Sequence, residues 1–233
     1  RAPHKACCKQ LSVGYLKAKV VQFIFNSNRS FLCFWFSMAK NCENKETDAR
    51  IEKHPLQNNW QLWYYKPDKS KHWAENQLSV TSFATVEDFW ALYNHIELAS
   101  NLQVGCDYSI FKNGIEPMWE DPRNKRGGRW VFAFGKKNVS PKELDEMWLE
   151  VLLCLIGEGF GEESDQVCGA VINIRPKMDK IAIWTSDCKS SQAVMKIGKI
   201  LKQRMGYMET ANYEAHGDTQ TRQGSTARHM YTV

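Results

Sequence analysis

No stretch of this 233-residue sequence approaches the roughly 20 consecutive apolar residues of a membrane-crossing helix. Eight cysteines occur, but none in a C-x-x-C pair or at zinc-ligand spacing, and the six histidines are scattered. Neither a metal centre nor a cofactor is therefore expected. Cys154 and Cys168 lie in apolar runs and read as buried free thiols, which fits the reducing cytoplasm or nucleus. No internal repeat or low-complexity tract interrupts the chain. Acidic side chains are missing from residues 1–37, where six basic ones stand: Arg1, Lys5, Lys9, Lys17, Lys19 and Arg29. Setting those aside leaves 25 basic against 26 acidic groups, so the formal charge of +5 belongs to that stretch and any basic site must be local.

The same 37 residues lack methionine and any clean hydrophobic period. They fail as a signal peptide, because "NSNRS" breaks the apolar runs and no small-residue cleavage site follows. The first methionine, Met38, precedes the polar "AKNCENKETDARIEK". Three segments are expected: residues 1–37 as a non-native upstream extension, 38–53 as a disordered tail, and 54–233 as one binding domain.

Within that domain three helices are expected. "TVEDFWALYNHI" carries Thr85 as N-cap, and "SPKELDEMWLEVLLCLIGE" has Ser140 as cap, Pro141 at the first position and Glu143 completing a capping box. "SSQAVMKIGKILKQRMG" places Val194, Ile197, Ile200 and Leu201 on one face and ends at Gly206. Alternating β-branched and aromatic residues predict strands over 60–66, 78–83, 106–112, 129–134, 167–175, 180–186 and 229–233, with a hairpin at 175–180. Many strands, few helices and hairpin spacings predict an α+β fold: a mostly antiparallel sheet with helices on one face.

Most of the nine tryptophans read as core, Trp63, Trp130 and Trp148 among them. Trp73 and Trp119 do not. Trp73 sits in the polar "KPDKSKHWAENQ", and Trp119 lies in "GIEPMWEDPRNKRGGRW", bracketed by Pro117 and Pro122. A single loop tryptophan serves packing as readily as binding, but two favour binding. Glu120 is by itself an ordinary solvated acid; beside a stacking indole its two parallel acceptors match the N1–H and N2–H2 donors of guanine. Arg129, Arg175, Lys177 and Lys180 read either as solvated turn residues or as the fork and point charges a short polyphosphate needs. Together these residues describe a slot for a guanine nucleotide. Two indoles on one base favour an electron-poor ring such as 7-methylguanine.

A second surface follows from helix periodicity. With Trp148, Val151, Leu152 and Leu155 turned to the sheet, Leu149 and Leu153 fall on the other side among Asp145, Glu146 and Glu150. Scattered surface leucines and a covered docking face both fit that pattern; Val86 and Trp90 on the first helix favour docking.

"HPLQNNWQLWYYK", "TVEDFWALYNHI", "GIEPMWEDPRNKRGGRW", "CLIGE" and "DKIAIWT" resemble the eukaryotic translation initiation factor 4E family, from about His54 to the C-terminus. The resemblance implies a curved, eight-stranded, mostly antiparallel sheet with three long helices on its convex face. It implies no enzyme activity, but binding of the 7-methylguanosine 5′ cap of mRNA, with the trimethylguanosine form left open. Trp73 and Trp119 match the stacking pair, Glu120 the carboxylate on the guanine edge, and Trp184 the residue near the N7 methyl. Arg175 and Lys180 match the phosphate contacts, with Arg129 assisting; Lys177 and Asn173 are weaker matches. His54, Pro55, Val86, Trp90, Leu149, Glu150 and Leu153 match a dorsal surface for scaffold initiation factor 4G and 4E-binding repressor proteins. Ser225 in "RQGSTAR" matches a regulatory phosphorylation site. A monomer outside that complex and no membrane partner are expected. A cap-binding repressor without scaffold recruitment is the alternative. A cap-hydrolysing enzyme is the remoter one, because "KELDEMWLE" and "GEESD" form no recognisable carboxylate site for metal ions.

Overall fold

The structure, a computed structural model, describes residues 52–217 and 229–233. Residues 1–37, all but the end of the 38–53 tail, and Ser225 lie outside the described residues. Eight strands form one sheet: β1 (Pro55–Tyr65), β2 (Gln77–Thr85), β3 (Asp107–Lys112), β4 (Gly128–Gly135), β5 (Val167–Asn173), β6 (Met178–Thr185), β7 (Asn212–Ala215) and β8 (Tyr231–Thr232). Their order across the sheet is β2-β1-β3-β5-β6-β4-β7-β8, and every neighbouring pair is antiparallel. The sheet is curved, and helices α1 (Val86–His95), α2 (Pro141–Ile156) and α3 (Ser191–Met205) contribute to the core on one face.

The caps work as their residue types dictate. Thr85 accepts from the backbone N–H of Asp88 at 3.2 Å, and Ser140 and Glu143 form the reciprocal box that starts α2. The third helix closes on Gly206 in the left-handed region (φ 62°), while Ser190 makes no side-chain cap bond.

Two elements differ from the sequence reading. Strand β1 begins at Pro55, not at residue 60, with its start held by the Val86 N–H on the His54 carbonyl at 2.9 Å. Proline is tolerated as a first strand residue because no ladder donor is required there. Strand β7 was not expected: its four residues alternate polar and apolar, with Tyr213 and Ala215 buried, but over too short a run to mark a strand.

Period-2 alternation divides the strands between two faces. Trp60, Leu62, Ile110, Trp130, Phe132, Ile172 and Ile183 join Trp148, Leu152, Val194 and Ile197 of the helices in the main core. Trp130 is fully buried, donates its indole N–H to the Val194 carbonyl at 2.8 Å, and packs so close to α3 that a Cβ at Gly198 would meet its ring at 2.5 Å. Residues one position along each strand point the other way. There Phe111, Val171, Ala182 and Trp184 form a smaller cluster with Ile115 and Cys168. Trp63, expected in the core, is half-buried on this open side opposite Ser109, because its strand position has the parity of the uncovered face. Cys154 and Cys168 are buried free thiols, and burial pushes each up to about 12.

Candidate functional site

Directly opposed residues of antiparallel strands project to one face, so register alone assembles the site floor. Asp107, Asn173 and Lys180 lie in one row across β3, β5 and β6. A second row of small or branched residues runs Ser109, Val171, Ala182 and Val131, and a third places Trp184 beside Arg129 and Arg129 beside Glu214. Above these rows opens a cleft of about 740 Å³, within the roughly 300–1,000 Å³ usual for ligand pockets. Trp73, from a one-turn helix at Trp73–Asn76, stands on its wall, as do Pro117, Met118 and Trp119 from the loop before β4.

That loop is held by its own polar groups. The buried Asn124 side chain donates to the carbonyls of Glu116 and Met118, each at 2.8 Å, and Asp121 accepts the N–H of Glu116 at 2.9 Å and of Arg123 at 2.8 Å. Its exit needs Gly127, where a Cβ would land 1.7 Å from the Thr185 carbonyl oxygen. The indoles it and the Trp73 turn present are unusually open, Trp73 at 51% and Trp119 at 40%.

Trp73, Trp119, Trp184, Arg129, Asn173, Arg175, Lys177 and Lys180 all line the one cleft. Glu120 does not line it: the side chain is exposed at the rim and accepts the indole N–H of Trp119. Tyr65, with its ring 6.1 Å from that of Trp73, joins the wall, although nothing in the sequence pattern marked it.

Charge in the cleft is compensated on the arginines. Arg175 forks onto Asp107, with Nη2 to Oδ2 at 3.0 Å, while Asp179 accepts the Arg175 backbone N–H at 2.9 Å and pairs with Lys136 at 3.1 Å. Burial pushes the Asp107 carboxyl up against the pull of that guanidinium, and Asp107 raises the Arg175 pKa in turn. Glu214 accepts from Nε and Nη2 of Arg129 at 3.3 and 3.1 Å. Among the described residues, Lys177 and Lys180 enter no ion pair. Trp184 is 6% exposed, and the buried His216 ring sits 4.2 Å from it. Burial, aided by the Arg129 charge, lowers the His216 pKa to about 3, so the ring is neutral at physiological pH.

On the helix side, Glu87 accepts both the backbone N–H of His54 at 2.9 Å and its Nδ1 at 2.6 Å, gathering His54, Pro55 and Val86 where β1 meets α1. Trp90 is half-buried with its ring 5.1 Å from Phe89. Leu149 and Leu153 are half-buried against the edge of the core, more covered than a free solvent face would leave them. Burial pushes the Glu150 carboxyl up, opposed by the charge of Arg204. Among the described residues no cluster of potential metal ligands occurs, and no helix is long and apolar enough to cross a membrane.

Open indoles above a floor of arginines and lysines define a binding protein for a flat ring carrying anionic groups. The chain belongs to the eukaryotic initiation factor 4E family, whose model matches residues 55–231. It is 56% identical over 183 residues to eukaryotic translation initiation factor 4E of Homo sapiens, covering 78% of this chain and 84% of that protein. Among solved structures it resembles C. elegans eIF4E-3 in complex with the 4E-binding protein Mextli and cap analog, with TM-score 0.72, 42% identity, and 78% and 100% of the two chains covered. It also resembles Ascaris suum eIF4E-3 with m2,2,7G cap, with TM-score 0.73, 43% identity, and 78% and 99% covered.

Proposed function

We propose that residues 54–233 bind the 7-methylguanosine 5′ cap of mRNA on the open face. On the helix face they bind scaffold initiation factor 4G or 4E-binding repressors, delivering capped mRNA for translation initiation. The observation that carries this reading is the pair of exposed indoles on one cleft above four basic side chains. The solved C. elegans relative, with both a cap analog and a 4E-binding protein, supports the two-faced assignment.

The methylated base enters between Trp73 and Trp119, gaining about 1–3 kcal/mol from each stack and a cation–π attraction that unmethylated guanine lacks. Trp184 closes the end of the slot near the N7 methyl. Glu120 leaves the Trp119 N–H, swings across the mouth and accepts the guanine N1–H and N2–H2, a charged contact of about 1.5–3 kcal/mol. Arg175, already oriented by Asp107, and the exposed Lys177 and Lys180 take the phosphate oxygens, with Arg129 assisting and Asn173 beside them. Against an association cost of at least about 4 kcal/mol, the roughly 8 kcal/mol of micromolar affinity requires the charged phosphate contacts, about 1.5–3 kcal/mol each, as well as the base. The domain acts without a cofactor and catalyses nothing, as a monomer outside the initiation complex, in the cytoplasm and also the nucleus.

Retention on 7-methyl-GTP resin tests the site. Trp119→Ala and Glu120→Ala are each expected to abolish it, and undiminished retention by either variant removes the assignment. Co-precipitation with the scaffold factor separates recruitment from repression.

A further inference from the structure

Two of the four basic side chains in the cleft, Arg129 and Arg175, carry a counter-charge that also lines it. Arg175 is held by both carboxylate oxygens of Asp107, a buried residue of β3. The partner of Arg129 is the somewhat more exposed Glu214, held by longer contacts. Glu214 sits directly opposite Arg129 in the β4–β7 ladder, and a single carboxylate oxygen takes both Nε and Nη2. The Arg129 side chain is 33% exposed and that of Glu214 16%, so the pair reaches the surface of the cleft that receives the ligand. Close approach of β7 is built into the backbone: a Cβ at Gly128 would land 2.4 Å from the Glu214 carbonyl oxygen.

A carboxylate in a cleft that receives phosphates does two things. It occupies the donors a phosphate oxygen would use, and it repels the phosphate charge directly. We propose that Glu214 is a specificity-determining residue of the cleft, a built-in competitor for Arg129 that lowers affinity in proportion to the negative charge on the ligand's phosphate chain. Its effect is therefore selective. The methylated base, read by Trp73, Trp119 and Trp184, is untouched by Glu214, whereas each added phosphate meets the carboxylate or must displace it. The inference rests on the reading of the open face as a cap site.

The test compares the chain with Glu214→Gln, which keeps the shape and an acceptor for Arg129 but removes the charge. Tryptophan-fluorescence titrations with 7-methylguanosine, 7-methyl-GMP and 7-methyl-GTP are run at two salt concentrations. Glu214→Gln is expected to bind 7-methyl-GTP about three- to tenfold tighter, 7-methyl-GMP by a smaller factor and the nucleoside unchanged. The triphosphate gain is expected to shrink at high salt. Equal or weaker 7-methyl-GTP binding overturns the proposal, because Glu214 would then serve to position Arg129. A gain equal for mono- and triphosphate also overturns it, as does any change on the nucleoside. Failure of the unsubstituted chain to bind any of the three ligands instead rejects the cap-site reading itself.

Discussion

The two faces of the sheet are made by the same strands and differ in what they hold. On β4, Trp130, Phe132 and Phe134 are sealed beneath the helices, while Arg129 and Val131, at the alternate positions, face the cleft. On β6, Ile181 and Ile183 are core, while Lys180, Ala182 and Trp184 line the cleft. One face pairs almost every group with apolar neighbours. The other keeps charges, and each of its arginines leans on an acid. Stability and recognition are thus written on alternate positions of one chain, and a substitution should reveal by its parity which of the two it disturbs.

Two tryptophans give the sharpest contrast. Trp130→Ala removes a fully buried ring and its hydrogen bond, and is expected to cost about 3–5 kcal/mol in urea unfolding. Trp119→Ala on the open side is expected to stay within about 0.5 kcal/mol while losing resin retention. Similar stability losses for both would break the comparison.

Arg175→Ala crosses the divide, because it leaves the buried Asp107 carboxylate without its fork. A loss of about 1–3 kcal/mol is expected, below the value for a fully buried pair because water reaches Arg175. Arg175→Lys is expected to recover part of the stability, but less of the ligand affinity, since an ammonium lacks the fork.

Acid probes the same face through His216. Its folded pKa of about 3 lies below the unfolded value near 6.5, so between those limits the unfolded chain binds a proton that the folded one refuses. Its contribution is complete above about pH 6.5 and falls on acidification by at most about 1.4 kcal/mol per pH unit. Denaturation midpoints from pH 7 to 4 are expected to show a shallower acid limb for His216→Gln than for the parent chain.

The smallest effect sharpens the helix side. Ser140→Ala breaks the capping box and is expected to cost about 1 kcal/mol, with ligand binding unchanged.

The helices were legible because their signals are local: Thr85, Ser140, Pro141 and Gly206 all sit where the backbone needs them. Long strands with inward aromatics were legible for the same reason. Strand β7 was not, because its four residues hold only two periods of alternation, too few to stand out. Missing β7 also hid Glu214 and His216, the first opposite Arg129 and the second behind Trp184. The sequence pointed to Trp73 and Trp119 because their surroundings left them no packing role, and to Arg129 through its local concentration of positive charge. Asp107 escaped notice, although its place at the open-face parity of "CDYSIFK" was a usable signal.

Every wall of the cleft comes from a different part of the chain, from Tyr65 and Trp73 through Asp107 and Trp119 to Trp184 and Glu214. No fragment short of the whole sheet can present it. Ligand occupancy and global folding are consequently one equilibrium: saturating nucleotide should raise the melting temperature of the whole domain, by about 2.7 kcal/mol of added stability at a hundredfold excess over Kd. Destabilising lesions far away on the helix side would then weaken apparent binding without touching a single contact.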